Sequence, residues 1–350
     1  MGVIGNFTLP IKGEYHDNLL SAQTAARGSM DRERQRHLFD RLDWLDALHH
    51  TALRGRKALL LRAYDNNHEV WLPLMMTGAR RYEAFANWYN FTFRPIFSAQ
   101  YNEATKLTLL RKMALSVQRH ARQISLTQLP DEDGSATLLA IAFEQSGWVV
   151  AKSAHDQNHY LSLNGRSFDE YWQTRPGQLR STVKRKGKKN LVSIRIAQDF
   201  DDQSWSDYER VYACSWKPSE GSPDFLRAIA KQESAAGCLR LGLAYIDGEP
   251  AAAQFWTVEN NIALIHKLAH DERYLDASPG TLLSAALFQH VIDIDRVAEI
   301  DFGTGSDNYK RDWMEQYRPR YRLDIYWPNH MLNWPHIIRH KLRQMSEKEK

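Results

Sequence analysis

The sequence contains only two cysteines, Cys214 and Cys238, in 350 residues. That excludes a disulfide-stapled secreted domain and fits a reducing, cytoplasmic setting. No run of about 18 apolar residues exists, so no helix is expected to span a bilayer. The first residues lack the charged-then-apolar order of a secretion signal. Neither sign of charge dominates: 46 basic and 42 acidic side chains leave +4. That balance is too mild to imply nucleic acid as a partner. There is no Gly-x-x-x-x-Gly-Lys phosphate loop and no Cys/His set with zinc spacing, so no metal is expected. Neither cysteine carries the local signature of a nucleophile.

What is present is an ordinary globular composition, 43% hydrophobic and 25% charged, with enough length for two domains. Eleven Trp and fifteen Tyr are many for this length, and such side chains favour boundaries between apolar and wet surroundings. Residues 1–35 read as an irregular arm, except that helical spacing of Leu38, Leu42, Leu45 and Leu48 suggests a helix running from near Asp31 to His50. Strands are expected at 58–64 and 69–75, then helices at 103–121 and 135–146, with short strands at 125–129 and 148–152. The second half repeats this logic. A strand at 160–163 precedes a helix at 168–189 interrupted near Pro176–Gly177. After a strand at 193–197 come helices at 203–216 and 223–235, a three-strand meander over 239–269, a helix from 279 to 294 and a strand at 299–302. The parallel order of the halves suggests a duplicated unit.

The segment Ser278-Pro-Gly-Thr-Leu-Leu283 has specific physics. Ser278 suits an N-cap, Pro279 suits the first helical position, and Gly280 lets another group approach the backbone. Leu282, Leu283, Ala286, Leu287 and Val291 share one face. The N–H groups of Gly280, Thr281 and Leu282 then form a potential phosphate site at the positive end of the helix. Taken alone, the motif is also what an ordinary capped helix shows.

The stretch from Leu239 to Tyr326 resembles the Fem-type and CelD-like branch of the GNAT superfamily. The resemblance rests on the hairpin Ala244-Tyr-Ile-Asp-Gly-Glu-Pro-Ala-Ala-Ala253, on Tyr274 before Ser278–Leu283, on Ile300-Asp-Phe-Gly303, and on Tyr309–Lys310 with Trp313 close behind. The basic segment Leu179–Leu191 and the helix around Phe39–Trp44 extend it over most of residues 36–326. It implies an α+β fold of two GNAT-like lobes, each a mixed, mostly antiparallel sheet flanked by helices. The expected division is an arm (1–35), an N-terminal lobe (36–152), a C-terminal acyltransferase lobe (153–326) and a basic amphipathic tail (327–350). It also implies acyl transfer from acyl-CoA, as co-substrate, to an amine.

Such chemistry needs a grip on the donor's pyrophosphate, a base for the amine and donors for the thioester oxyanion. Ser278, Gly280, Thr281, Leu282, Tyr309 and Lys310 are the donor-binding candidates, and Tyr309 and Lys310 could equally serve the acceptor. His266, His270 and Asp301 are the catalytic candidates. On strict alternation His266 shares a face with Ile262, Leu264 and Leu268, where a histidine is commonly a satisfied core residue, unless that face opens on a cleft. Asp301 ends a strand where open sheets tend to place ligands; its other reading is a structural cap. Arg180, Lys184, Arg185, Lys186, Lys188 and Lys189 form the densest basic run. They suit a solvated face, the phosphates of CoA or an anionic lipid surface; nucleic acid fits poorly because no aromatics are interleaved.

Beyond Trp327, residues Trp334, Ile337, Ile338, Leu342 and Met345 share one face of a helix whose other faces carry Arg339, His340, Lys341 and Arg343. Such a helix can lie in a bilayer interface or pack on the protein body. With the aromatic stretch at 85–97, it points to an amphiphilic amine acceptor. A sphingoid base giving a ceramide is the example, since bacterial ceramide synthases are of this superfamily, and an enzyme working peripherally on the inner membrane would suit it. A sugar or peptidoglycan-type amine is the alternative acceptor, and a non-catalytic membrane-surface binding module the alternative class.

Overall fold

The computed structural model describes residues 10–305 and 308–348. The chain divides into two compact units, one running to Asp156 and resuming at Pro319, the other spanning Gln157–Arg318. Each is the expected mixed, mostly antiparallel sheet with flanking helices.

The first unit opens with β1 (Lys12–His16), α1 (Leu19–Ala26), α2 (Leu42–His50), β2 (Ala58–Tyr64), β3 (Glu69–Gly78), β4 (Arg81–Ala84) and β5 (Ile96–Phe97). It continues with α3 (Glu103–Val117), β6 (Gln123–Leu129), α4 (Ser135–Gln145) and the start of β7 (Val149–Ser162). The second unit takes the end of β7, then α5 (Phe168–Gln173), α6 (Gly177–Gly187), β8 (Ser193–Ala197), α7 (Asp202–Ala213) and α8 (Pro223–Ala235). The meander β9 (Leu239–Ile246), β10 (Glu249–Glu259) and β11 (Ile262–His270) follows, with α9 (Pro279–Gln289), β12 (Glu299–Thr304) and α10 (Asn308–Trp313) after it. Strand β13 (Gln316–Tyr326) returns the chain to the first unit, which ends in α11 (Trp334–Lys348).

The strands of the two units share one plan. In the first, β1, β2, β3 and β4 pair antiparallel in order, β4 pairs parallel with β6, and β6 pairs antiparallel with β13. In the second, β8, β9, β10 and β11 do the same, β11 pairs parallel with β12, and β12 pairs antiparallel with β7. The repeated order matches a duplicated unit, closed in the first copy by the late strand β13 and in the second by the early strand β7.

Several local expectations are corrected. Residues 12–26 are not an irregular arm: β1 pairs with β2 from Lys12↔Tyr64 to His16↔Leu60, and Asn18 caps α1. The helix expected from Asp31 begins only at Leu42. Upstream, Gln35 Nε2 donates to the carbonyls of Ser29 (2.7 Å) and Phe97 (3.0 Å), and Arg41 Nε donates to the Gln35 carbonyl (3.1 Å). Those bonds hold a turn-rich segment that a continuous helix could not make. The strands expected at 148–152 and 160–163 are one strand, β7. Because β7 and β13 run through the junctions between units, the chain divides at 156/157 and 318/319, inside strands that carry no compositional break.

In the second unit the helix α9 packs on β9 and β10. Gly242 on β9 makes this possible: a Cβ there would lie 2.7 Å from Leu287 Cδ1 and 3.0 Å from Leu283 Cδ1. Around that contact Leu161, Trp256, Ile265, Phe288, Val291 and Ile300 form the core.

Candidate active site

The parallel pair β11 and β12 is registered only from Ile262↔Glu299 to Leu264↔Asp301. Beyond that point β11 runs on to His270 and β12 to Thr304. These ends, no longer paired with each other, border a cleft of about 290 Å³. Its walls include Leu268, Ala269 and His270 from β11, Phe302 from β12, and Ser278, Pro279, Gly280, Thr281 and Ser284 from the start of α9. Trp216, Leu275, Tyr309 and Trp313 complete an apolar side, and Gln254 reaches in from β10.

Ser278 does not act as the expected side-chain N-cap. Its backbone is left-handed (φ 54°, ψ 46°), its N–H closes the preceding turn on the Leu275 carbonyl at 3.0 Å, and its hydroxyl makes no cap bond to α9. A non-glycine residue held in that region stores strain of order 1 kcal/mol, a cost that recurs at ligand-binding turns. Pro279 has no N–H, and the Leu282 N–H donates to the Ser278 carbonyl at 3.1 Å. Leu282 is therefore a buried core residue whose amide is already used. Helix geometry leaves the Gly280 and Thr281 amides without an intrahelical acceptor, and both residues line the cleft.

Gln254 fixes this first turn from beneath. It is buried, and its Nε2 donates to Ser284 Oγ (2.7 Å) and to the Gly280 carbonyl (3.3 Å). Its Oε1 accepts from the Trp256 indole N–H at 2.9 Å. Gly280 in turn sits against His270: a Cβ at 280 would lie 3.3 Å from His270 Nδ1. The His270 ring also packs on Trp216, with centroids 4.4 Å apart. Burial, with the Lys217 cation, outweighs the neighbouring Glu272 and Asp271 carboxylates and holds its pKa below the usual histidine value, so the ring is neutral at neutral pH.

The two other catalytic candidates lie elsewhere. The His266 ring stacks on Phe255 (4.9 Å) and bonds Thr257 Oγ1 (2.8 Å), away from the residues that line the cleft. Burial and the neighbouring Lys267 push its pKa down to about 3. Asp301 is buried in a polar network. It accepts from Asn158 Nδ2 (2.7 Å), the Gly303 N–H (2.7 Å) and Arg318 Nη2 (2.8 Å), while Arg318 also pairs with Glu299 (2.8 Å). Those bonds suit the structural reading of Asp301, as the anchor of β12 against β7. Tyr309 lines the cleft with its ring 5.7 Å from Phe302. Lys310 is buried, donates to the Thr304 carbonyl and lies over the Phe302 ring.

The basic run lies on α6, which packs on α9, and on the turn that follows it. Arg180, Lys184, Arg185, Lys188 and Lys189 are exposed, and Lys186 donates to the Asp276 carbonyl, two residues before Ser278. A separate group, Glu233, Cys238 and Glu259, places ligand atoms within 4.8 Å of one another, the one such set among the described residues. None of the three lines the cleft.

Gln254, Ser284, Trp216 and Leu275 were not singled out from the sequence, and Leu268, Phe302 and Trp313 were named there without a role in a cleft. Gln254 left a signal there: it interrupts the apolar run Ala251-Ala-Ala-Gln-Phe-Trp256, and a buried polar side chain must have partners. Trp216 left none, because it reaches His270 from a loop 54 residues upstream.

Comparison with known proteins agrees with this architecture. Residues 175–311 match the family model described as an acetyltransferase (GNAT) domain. The matched stretch lies wholly within the second unit. Among solved structures the chain is similar to FemX (TM-score 0.59, 9% identity, 88% of this chain and 96% of that one). It is also similar to a conserved protein of unknown function from Bacteroides thetaiotaomicron (TM-score 0.57, 12% identity, 89% and 99%). A third neighbour is L-PGS from Bacillus licheniformis (TM-score 0.53, 12% identity, 90% and 97%). At these identities the likeness is one of fold. A search of curated proteins returns no significant match.

Proposed function

We propose that the second unit transfers an acyl group from acyl-CoA to the nitrogen of a lipid-like amine, such as a sphingoid base. The observation that carries this reading is the shared cleft: a neutral histidine, two amides without intrahelical acceptors and an apolar wall border the same space. The Gly280 and Thr281 N–H groups receive the pyrophosphate of the donor. At about 290 Å³ the cleft is sized for the reacting end of the molecule. The remaining phosphate, on the ribose, falls to the exposed cations of α6 and to Lys186 beside the loop. His270 replaces His266 and Asp301 as the base. It accepts the proton that the amine loses as nitrogen attacks the thioester carbon; the carbon–sulfur bond then breaks and CoA leaves as a thiol. Trp216, Leu275, Phe302 and Trp313 supply the apolar wall for a chain. Among the described residues no helix is long and apolar enough to cross a membrane. The reducing cytoplasm, where acyl-CoA is available, suits the exposed Cys214.

Incubation of the purified protein with acyl-CoAs of several lengths and either sphinganine or an amino sugar, read by mass spectrometry, tests the reading. An N-acyl sphinganine, abolished by His270→Ala, is expected. An acylated amino sugar instead would replace the acceptor and keep the chemistry. Neither product, with no rise in melting temperature on adding acyl-CoA, would return the protein to the class of non-catalytic binding modules.

A further inference from the structure

Helix α11 presents an apolar stripe that the fold leaves uncovered. Its start is rigidly held: Asn333 is fully buried and donates from Nδ2 to the carbonyls of Arg122 (2.6 Å) and Trp327 (2.9 Å), while its Oδ1 accepts from Arg122 Nη1 (2.9 Å). Ile337 then packs inward at 8% exposure. Trp334, Ile338, Leu342 and Met345 point outward, at 54% to 62% exposure. At about 100° per residue these four fall within an arc of about 80°, and Ile337 lies about 60° outside it. Docking through Ile337 therefore leaves the stripe free. Met331 and Leu332, just before the helix, are exposed as well.

Charge decides what covers it. Lys341 and Arg339 are exposed, about 20° outside one edge of the arc and about 60° outside the other. In sequence α11 holds four Lys/Arg and one Glu. A second copy docking through the same stripe would bring these cations against their counterparts. Anionic headgroups would complement them.

We propose that α11 is an interfacial helix that lies in the surface of an anionic bilayer, with Trp334, Ile338, Leu342 and Met345 among the acyl chains and Lys341 and Arg339 on the lipid phosphates. This docking stands apart from the acyl-transfer reading and would hold for a protein of another activity.

Flotation of the full chain with vesicles tests it, comparing phosphatidylcholine alone with an equal mixture of phosphatidylcholine and phosphatidylglycerol. The wild-type chain is expected to float with the mixed vesicles and much less with the neutral ones. Trp334→Ser combined with Ile338→Ser, and separately Arg339→Gln combined with Lys341→Gln, should each weaken binding at least about tenfold. All four side chains are exposed, and circular dichroism checks that the fold is kept. Absence of binding, or equal binding by the Trp334/Ile338 variant, overturns the proposal. So does a wild-type dimer in sedimentation that the apolar substitutions dissolve while vesicle binding is unchanged.

Discussion

Replacing Gly280 with alanine separates the stability of α9 from the use of its first turn. Gly280 is the second residue of α9 and its backbone is not in the left-handed region, so alanine fits the helix. Removing a helical glycine stabilises by up to about 1 kcal/mol, worth about 2–4 °C for a cooperative unit of the size of Gln157–Arg318. Against that gain stands one contact. The new Cβ would lie 3.3 Å from His270 Nδ1, 3.5 Å from its Cβ and 3.6 Å from its Cγ, and no backbone atom is among these nearest neighbours. The ring can therefore yield by a few tenths of an ångström at little cost in stability. A proton acceptor displaced by that much should cost about tenfold in kcat/KM, since a shift of about 1 Å can cost about a hundredfold. The expected result is a melting temperature unchanged or slightly raised, with kcat/KM for acyl-CoA reduced about tenfold. Full retention of kcat/KM would refute the placement of His270 beside the reacting atoms. A fall of many degrees in melting temperature would show the contact to be structural.

Three further outcomes follow from the same geometry. Gly242→Ala should destabilise by about 1–3 kcal/mol in urea denaturation, because its Cβ meets Leu287 Cδ1 at 2.7 Å in an already packed core, although alanine is otherwise the better strand residue. Gln254→Leu leaves the buried Trp256 indole N–H and the first turn of α9 without their partner; a loss of about 1–3 kcal/mol is expected, together with weaker acyl-CoA binding by calorimetry. The pH dependence of kcat/KM should fall on the acid side only as pH drops through the lowered pKa of His270, below the usual histidine value, because the neutral ring is the active form. A wild-type acid limb at or above the ordinary histidine pKa, or one kept unchanged by His270→Ala, would assign the base elsewhere.

Local signals in the chain were enough for much of this protein. The meander 239–269, the helix beginning at Pro279 and the strand at 299 were legible because their spacing, turn residues and capping chemistry are local properties. The amphipathic pattern of α11 was legible for the same reason. The fate of each histidine was not. His266 and His270 would share a face on strict alternation, yet the register of β10 and β11 shifts between Phe255↔Lys267 and Trp256↔Ile265, so that His266 stacks on Phe255 while His270 reaches the opening. Whether Asp301 is free or bound depends on Asn158 and Arg318, which are 143 and 17 residues away in sequence. Whether the stripe of α11 is covered depends on Asn333 and Ile337 docking a different face. Sequence determined most strands and helices of the second unit and which residue types stand near the turn at 278. Tertiary structure decided which of those residues share a cavity, because burial and hydrogen-bond partners are set by contacts that no local spacing encodes.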